Sequence, residues 1–109
     1  MKITKRVKLV AVLATVLVVA AAGGALAHTP IFSCFLNDDG TVMCEGGFSD
    51  GSSAAGVEVL VKDTDGKTLE EGEMDEFGTY VFEEPEVSYV VVMNAGPGHS
   101  VEVKSEEIQ

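Results

Sequence analysis

From residue 28 onward, apolar and polar positions alternate with a period of two. Val57, Val59 and Val61 interleave with Glu58, Leu60 and Lys62, which predicts a strand with one face toward a core. Asp63-Thr-Asp-Gly66 then turns the chain back into a hairpin, and the polar run Glu70 to Glu73 leads to a second turn at Asp75-Glu-Phe-Gly78. Thr79 to Phe82 re-enters as a strand, ended by Pro85, whose nitrogen cannot donate to a ladder. Upstream, Ile31 to Asn37 and Thr41 to Phe48 flank the turn Asp38-Asp-Gly40, and Ser49 to Gly56 has the composition of a loop. Downstream, Val87 to Asn94 carries Tyr89 and four valines and predicts a strand buried on both faces. After the turn Ala95-Gly-Pro-Gly98, His99 to Lys104 forms a last strand, and Ser105 to Gln109 is expected to be a disordered tail. About seven short strands with no amphipathic helix predict one all-β domain over residues 28–104, an immunoglobulin-like or prealbumin-like β-sandwich.

The first 27 residues follow another rule. Lys2, Lys5, Arg6 and Lys8 precede an apolar run from Leu9 to Ala22, and Ala25-Leu-Ala27 places small residues where a signal peptidase reads. This predicts a signal-peptide helix over residues 1–27, either cleaved before His28 or retained as a membrane anchor, with the remainder periplasmic or otherwise extracytoplasmic. Four of the seven basic residues lie in this segment and none of the eighteen acidic ones, so residues 28–109 hold three lysines, no arginine and a net charge of −15. Such a field repels nucleic acid and attracts cations. It also serves solubility, since most of these carboxylates fall in turns or on outward strand positions.

Cys34 and Cys44 are the only cysteines, and in an exported chain they predict a disulfide. With the first hairpin centred on Asp39, Asn37 faces Thr41 and Cys34 falls opposite Cys44. Their face also collects Phe32, Leu36, Val42 and Phe48, so the pair lies on the core side. Two thiols without a further Cys or neighbouring His fall short of a zinc set.

Catalytic signals are weak, and the chain is read as no enzyme. No Gly-x-Ser-x-Gly elbow is present, close carboxylate pairs arise by chance among eighteen, and no small-molecule substrate is evident. Asp63-Thr-Asp-Gly66 resembles the opening of a calcium loop, but the twelfth position is Met74 rather than glutamate, which leaves a hairpin turn. The two histidines carry more. Cleavage after Ala27 would give His28 both a free amine and an imidazole, a pair of nitrogens that can chelate Cu(II) or Ni(II). His99 begins the last strand, where its imidazole could meet the amino terminus if the first and last strands end side by side. The plain alternatives are a histidine left by cleavage and a turn residue bonded to backbone.

Phe48-Ser-Asp-Gly51, Gly56-Val-Glu-Val-Leu-Val with Asp65-Gly66, Leu69-Glu-Glu-Gly72, Met74-Asp-Glu-Phe-Gly78, Tyr80-Val-Phe82 and Asn94-Ala-Gly-Pro-Gly-His99 together resemble the small periplasmic component found with nickel or cobalt energy-coupling-factor transporters. The middle portion is also similar to carboxypeptidase-regulatory-like domains. The resemblance spans about His28 to Val103. It implies an accessory of a membrane transporter that helps Ni(II) or Co(II), and less readily Cu(II), reach the membrane, with His28 and His99 as metal ligands. A structural or protein-interaction module of the envelope is the alternative, and a copper histidine-brace oxidase a distant third.

Overall fold

The computed structural model describes residues 28–109, so the expected signal segment and its cleavage point lie outside the described residues. Seven strands follow one another: β1 (Pro30–Leu36), β2 (Thr41–Phe48), β3 (Glu58–Asp63), β4 (Thr68–Glu73), β5 (Thr79–Glu83), β6 (Tyr89–Asn94) and β7 (Ser100–Lys104). All neighbouring strands are antiparallel, in a three-stranded sheet of order β1-β2-β5 and a four-stranded sheet of order β4-β3-β6-β7. The fold is the expected β-sandwich.

Inward positions of both sheets meet in one core. Val42, Cys44, Val59, Val61, Val91 and Met93 are fully buried, with Phe32, Met74, Phe82 and Tyr89 around them. Phe82 meets Tyr89 edge-on, ring centroids 5.9 Å apart, an arrangement that matches ring edge to ring face. The first hairpin closes where predicted: the Asn37 N–H donates to the Thr41 carbonyl at 2.8 Å, and Cys34 pairs with Cys44 in a disulfide. Aspartates hold the turns by accepting from backbone N–H groups two or four residues on. Asp39 accepts from Thr41, Asp50 from Ser52, Asp63 from Asp65 and Lys67, and Asp75 from Phe77 and Thr79. Asp63 is thus a turn residue, as read from Met74.

Four local expectations change. The polar run Glu70 to Glu73 is part of β4, an edge strand whose side chains lie mostly in solvent, with Leu69 as the extra residue of a bulge opposite Val61 and Lys62. Val87 and Ser88 precede β6, and Val87 is exposed. Leu36, at the end of β1, faces the core side but is 40% exposed. The tail is ordered: Ser105–Glu107 is a 3-10 turn, Ile108 is buried in the core, and the Leu36 N–H donates to the Gln109 carbonyl at 3.2 Å. That bond covers an outward-pointing donor of edge strand β1, and Ile108 fills the end of the core beneath it.

Candidate functional site

The two histidines approach each other because of non-local pairing. The segment before β1 is fastened to the end of β2: the Ser49 N–H donates to the Thr29 carbonyl at 2.8 Å, and the Thr29 N–H donates to Ser49 Oγ at 3.1 Å. This sets His28 over the turn that follows β2. There His28 Nδ1 lies 2.7 Å from Asp50 Oδ2. Asp50 is itself fixed, because its Oδ1 accepts from the Ser52 N–H at 2.9 Å and from the Ser52 hydroxyl at 2.6 Å. The Ser52 hydroxyl, then the Ser52 N–H, then the His28 ring hold the Asp50 carboxyl below its ordinary value.

His99 comes from the β6–β7 turn. Its N–H donates to the Gly96 carbonyl at 3.0 Å, and its carbonyl accepts from the Ala95 N–H at 3.1 Å. The Asn94 side chain braces the same turn, accepting from the Gly96 N–H and the Ser100 hydroxyl, each at 3.2 Å, while its Nδ2 donates to Glu58 Oε1. The ring then lies with Nδ1 3.0 Å from the Pro97 carbonyl. A carbonyl can only accept, so Nδ1 carries the proton in this contact, and in the neutral ring the lone pair then lies on Nε2.

His28 and His99 line one open depression of about 260 Å³, together with Phe48, Ser52 and Ala95. Both rings engage an oxygen acceptor through Nδ1, a carboxylate in one case and a backbone carbonyl in the other. Metal-bound histidines have this second contact as a rule, because it fixes the tautomer and directs the free nitrogen. It also changes the expected chelate. An amine–imidazole ring at His28 would use Nδ1, the nitrogen nearer its own backbone, and Asp50 holds that atom.

The donor set fits a divalent first-row ion in kind, since imidazole nitrogen suits nickel, cobalt and copper. It is short in number: among the described residues no three or more His, Cys, Asp or Glu side chains are grouped to hold a metal ion. Cys34 and Cys44 are bound to each other and are not available as ligands. Asp50 was not singled out from sequence, because Ser49-Asp-Gly51 reads as a turn and the same residue serves as both turn acceptor and histidine partner.

No protein-family model, curated protein or solved structure matches the chain.

Proposed function

We propose that the protein binds a divalent transition metal outside the cytoplasm, Ni(II) or Co(II) foremost and Cu(II) next, and passes it to a membrane transporter as an accessory subunit. One observation carries this reading: His28 and His99 line the same depression, and each has its Nδ1 occupied by an oxygen acceptor so that Nε2 is the nitrogen left to bind. The sequence resemblance to the periplasmic component of nickel and cobalt transporters, carried in part by the segment ending at His99, points the same way. Export is supported by the leader-like residues 1–27, and the disulfide is compatible with an oxidising compartment. The net charge of −15 over residues 28–109 raises the local concentration of cations at the mouth of the site without selecting among them. In this reading the protein is a carrier and performs no covalent chemistry. Two imidazoles leave coordination positions open, and an incompletely wrapped ion is one that a partner can take.

The test is calorimetric titration of Ni(II), Co(II) and Cu(II) into the protein beginning at His28, into a copy with one extra amino-terminal Gly, and into His28→Ala and His99→Ala. Micromolar or tighter binding that both alanine variants lose is the expected result. Unchanged affinity in both variants would refute the proposal. The Gly-extended copy separates two modes: binding through Nε2 survives the extension, whereas an amine chelate does not.

A further inference from the structure

The outer face of the three-stranded sheet carries an apolar row that crosses all its strands. Phe35 of β1 pairs with Met43 of β2, and Met43 pairs with Val81 of β5. Phe35 is 45% and Val81 53% exposed, and Ile31, on the same face of β1, is 58% exposed. The outer face of the other sheet differs: Val92 is buried there and its partner Leu60 partly so.

The charges are divided in the same way. All three lysines of residues 28–109 belong to the four-stranded sheet or its turns, as Lys62 of β3, Lys67 after it and Lys104 of β7. Alongside the apolar row lie Ser33, Glu45 and Thr79 on one side, and Asn37, Thr41 and Glu83 on the other. The face is therefore apolar in the middle and acidic at its margins, with no cation of its own. A second copy would bring the same charges against it, and anionic lipid and nucleic acid are repelled for the same reason. A bare cation has no use for the apolar row.

We propose that this face is a docking surface for a protein segment in which lysine or arginine flanks apolar side chains. The apolar residues would cover Phe35, Met43 and Val81, and the cations would meet Glu45 and Glu83. None of Phe35, Met43, Val81, Glu45 and Glu83 lines the depression shared by His28 and His99, so the proposal does not depend on metal binding.

The probe is a synthetic peptide alternating lysine with valine and phenylalanine, titrated into the ¹⁵N-labelled protein and followed by NMR. Oligolysine of equal charge and a peptide alternating glutamate with the same apolar residues are the controls. The expected result is saturable shifts at Phe35, Met43, Val81 and Glu83, weakened by added salt and absent with both controls. Binding should fall about tenfold or more in Val81→Lys and in Phe35→Ser, roughly the loss for one apolar side chain removed from an interface. Both positions are exposed, so unchanged melting temperatures would show that the fold is kept. Oligolysine binding equally well would overturn the proposal, since the acidic field would then suffice. So would shifts confined to the four-stranded sheet, no saturable shift at millimolar peptide, or a sedimentation profile showing self-association lost in Val81→Lys, which would make a second copy the occupant.

Discussion

The ring of Tyr80 on β5 lies directly over Gly72 on β4, so that a Cβ at position 72 would fall 2.6 Å from its Cε2 atom. This contact joins the edge strands of the two sheets, and burial, then the charge of the nearby Glu70, pushes the Tyr80 phenol above its ordinary value. Gly72→Ala must displace either the ring or the backbone, and is expected to lower stability by about 1–3 kcal/mol. Gly46→Ala is the contrasting case. Its Cβ would meet the Met74 methyl at 2.7 Å and the Met93 sulfur at 3.1 Å, the mobile ends of adaptable side chains, so its cost should be smaller. Urea denaturation of the two variants decides this, and an equal or larger loss for Gly46→Ala would show that the methionines are not free to yield.

Much of this was legible because short loops fix register. Once Asp38-Asp-Gly40 is taken as the turn, counting outward brings Cys34 to Cys44, and the same count sends Phe32 and Val42 inward with them. The return arm of the second hairpin was legible, but its extent through Glu70 to Glu73 was not, because period-two reading needs an apolar face and Thr68, Glu70 and Glu71 all lie in solvent on an edge strand. Ile108 escaped because one apolar residue among polar ones has no period at all. The meeting of His28 and His99 depends on the β1–β2 pairing and on the β6–β7 turn together, a non-local relation that local pattern could only suggest as a condition. The role of Asp50 had no signal of its own.

The disulfide makes a second prediction. Cys34 and Cys44 close a short loop, ten residues apart in sequence, and both are buried. Constraining a loop of this length in the unfolded chain is worth roughly 2–3 kcal/mol. The double variant Cys34→Ala with Cys44→Ala is expected to lose about that much and to keep its fold, because the hairpin has its own hydrogen bonds and turn. Reductant should act slowly on the native protein and quickly in denaturant. Rapid reduction under native conditions would mean that the β1 edge opens readily.

Acid and alkali should each destabilise the fold for a different reason. Hydrogen bonds from Thr41, Ser52 and Thr79 hold Asp39, Asp50 and Asp75 below the ordinary value of 3.8. A carboxyl more acidic when folded than when unfolded contributes stability that is complete above the unfolded value and lost as pH falls through the folded one. The loss from these three therefore begins near pH 4 and grows below it. Thr79→Val should raise the Asp75 pKa, read by NMR titration, and an unchanged value would remove the hydroxyl as the cause.

Tyr89 works in the opposite direction. Burial, then the charge of Glu84 and its hydrogen bond, push the phenol up to about 12 from an ordinary 10. Stability from a raised pKa is intact below the unfolded value and lost as pH rises through the folded one, so the fold should weaken between about pH 10 and 12. Tyr89→Phe keeps the ring against Phe82 and removes the ionisable group. Its stability should be flatter across that window, and an identical alkaline transition would place the cause elsewhere.

The last prediction concerns the carboxylate behind His28. If metal binds through Nε2, Asp50 acts at one remove by fixing the ring and making its free nitrogen more basic. Asp50→Asn keeps an oxygen that can accept from Nδ1–H but gives up the charge, and Asp50→Ala gives up both. Ni(II) affinity should therefore fall stepwise, with the alanine variant down by about 10–100-fold as for other outer partners of metal-bound histidine. Ser52→Ala, which removes only the hydroxyl that braces Asp50, should have a smaller effect. The amine chelate makes the reverse prediction. There Asp50 competes with the metal for Nδ1, so Asp50→Ala would bind more tightly than the natural protein. The sign of that single change, measured in the form beginning at His28, distinguishes the two ways in which one histidine could hold the ion.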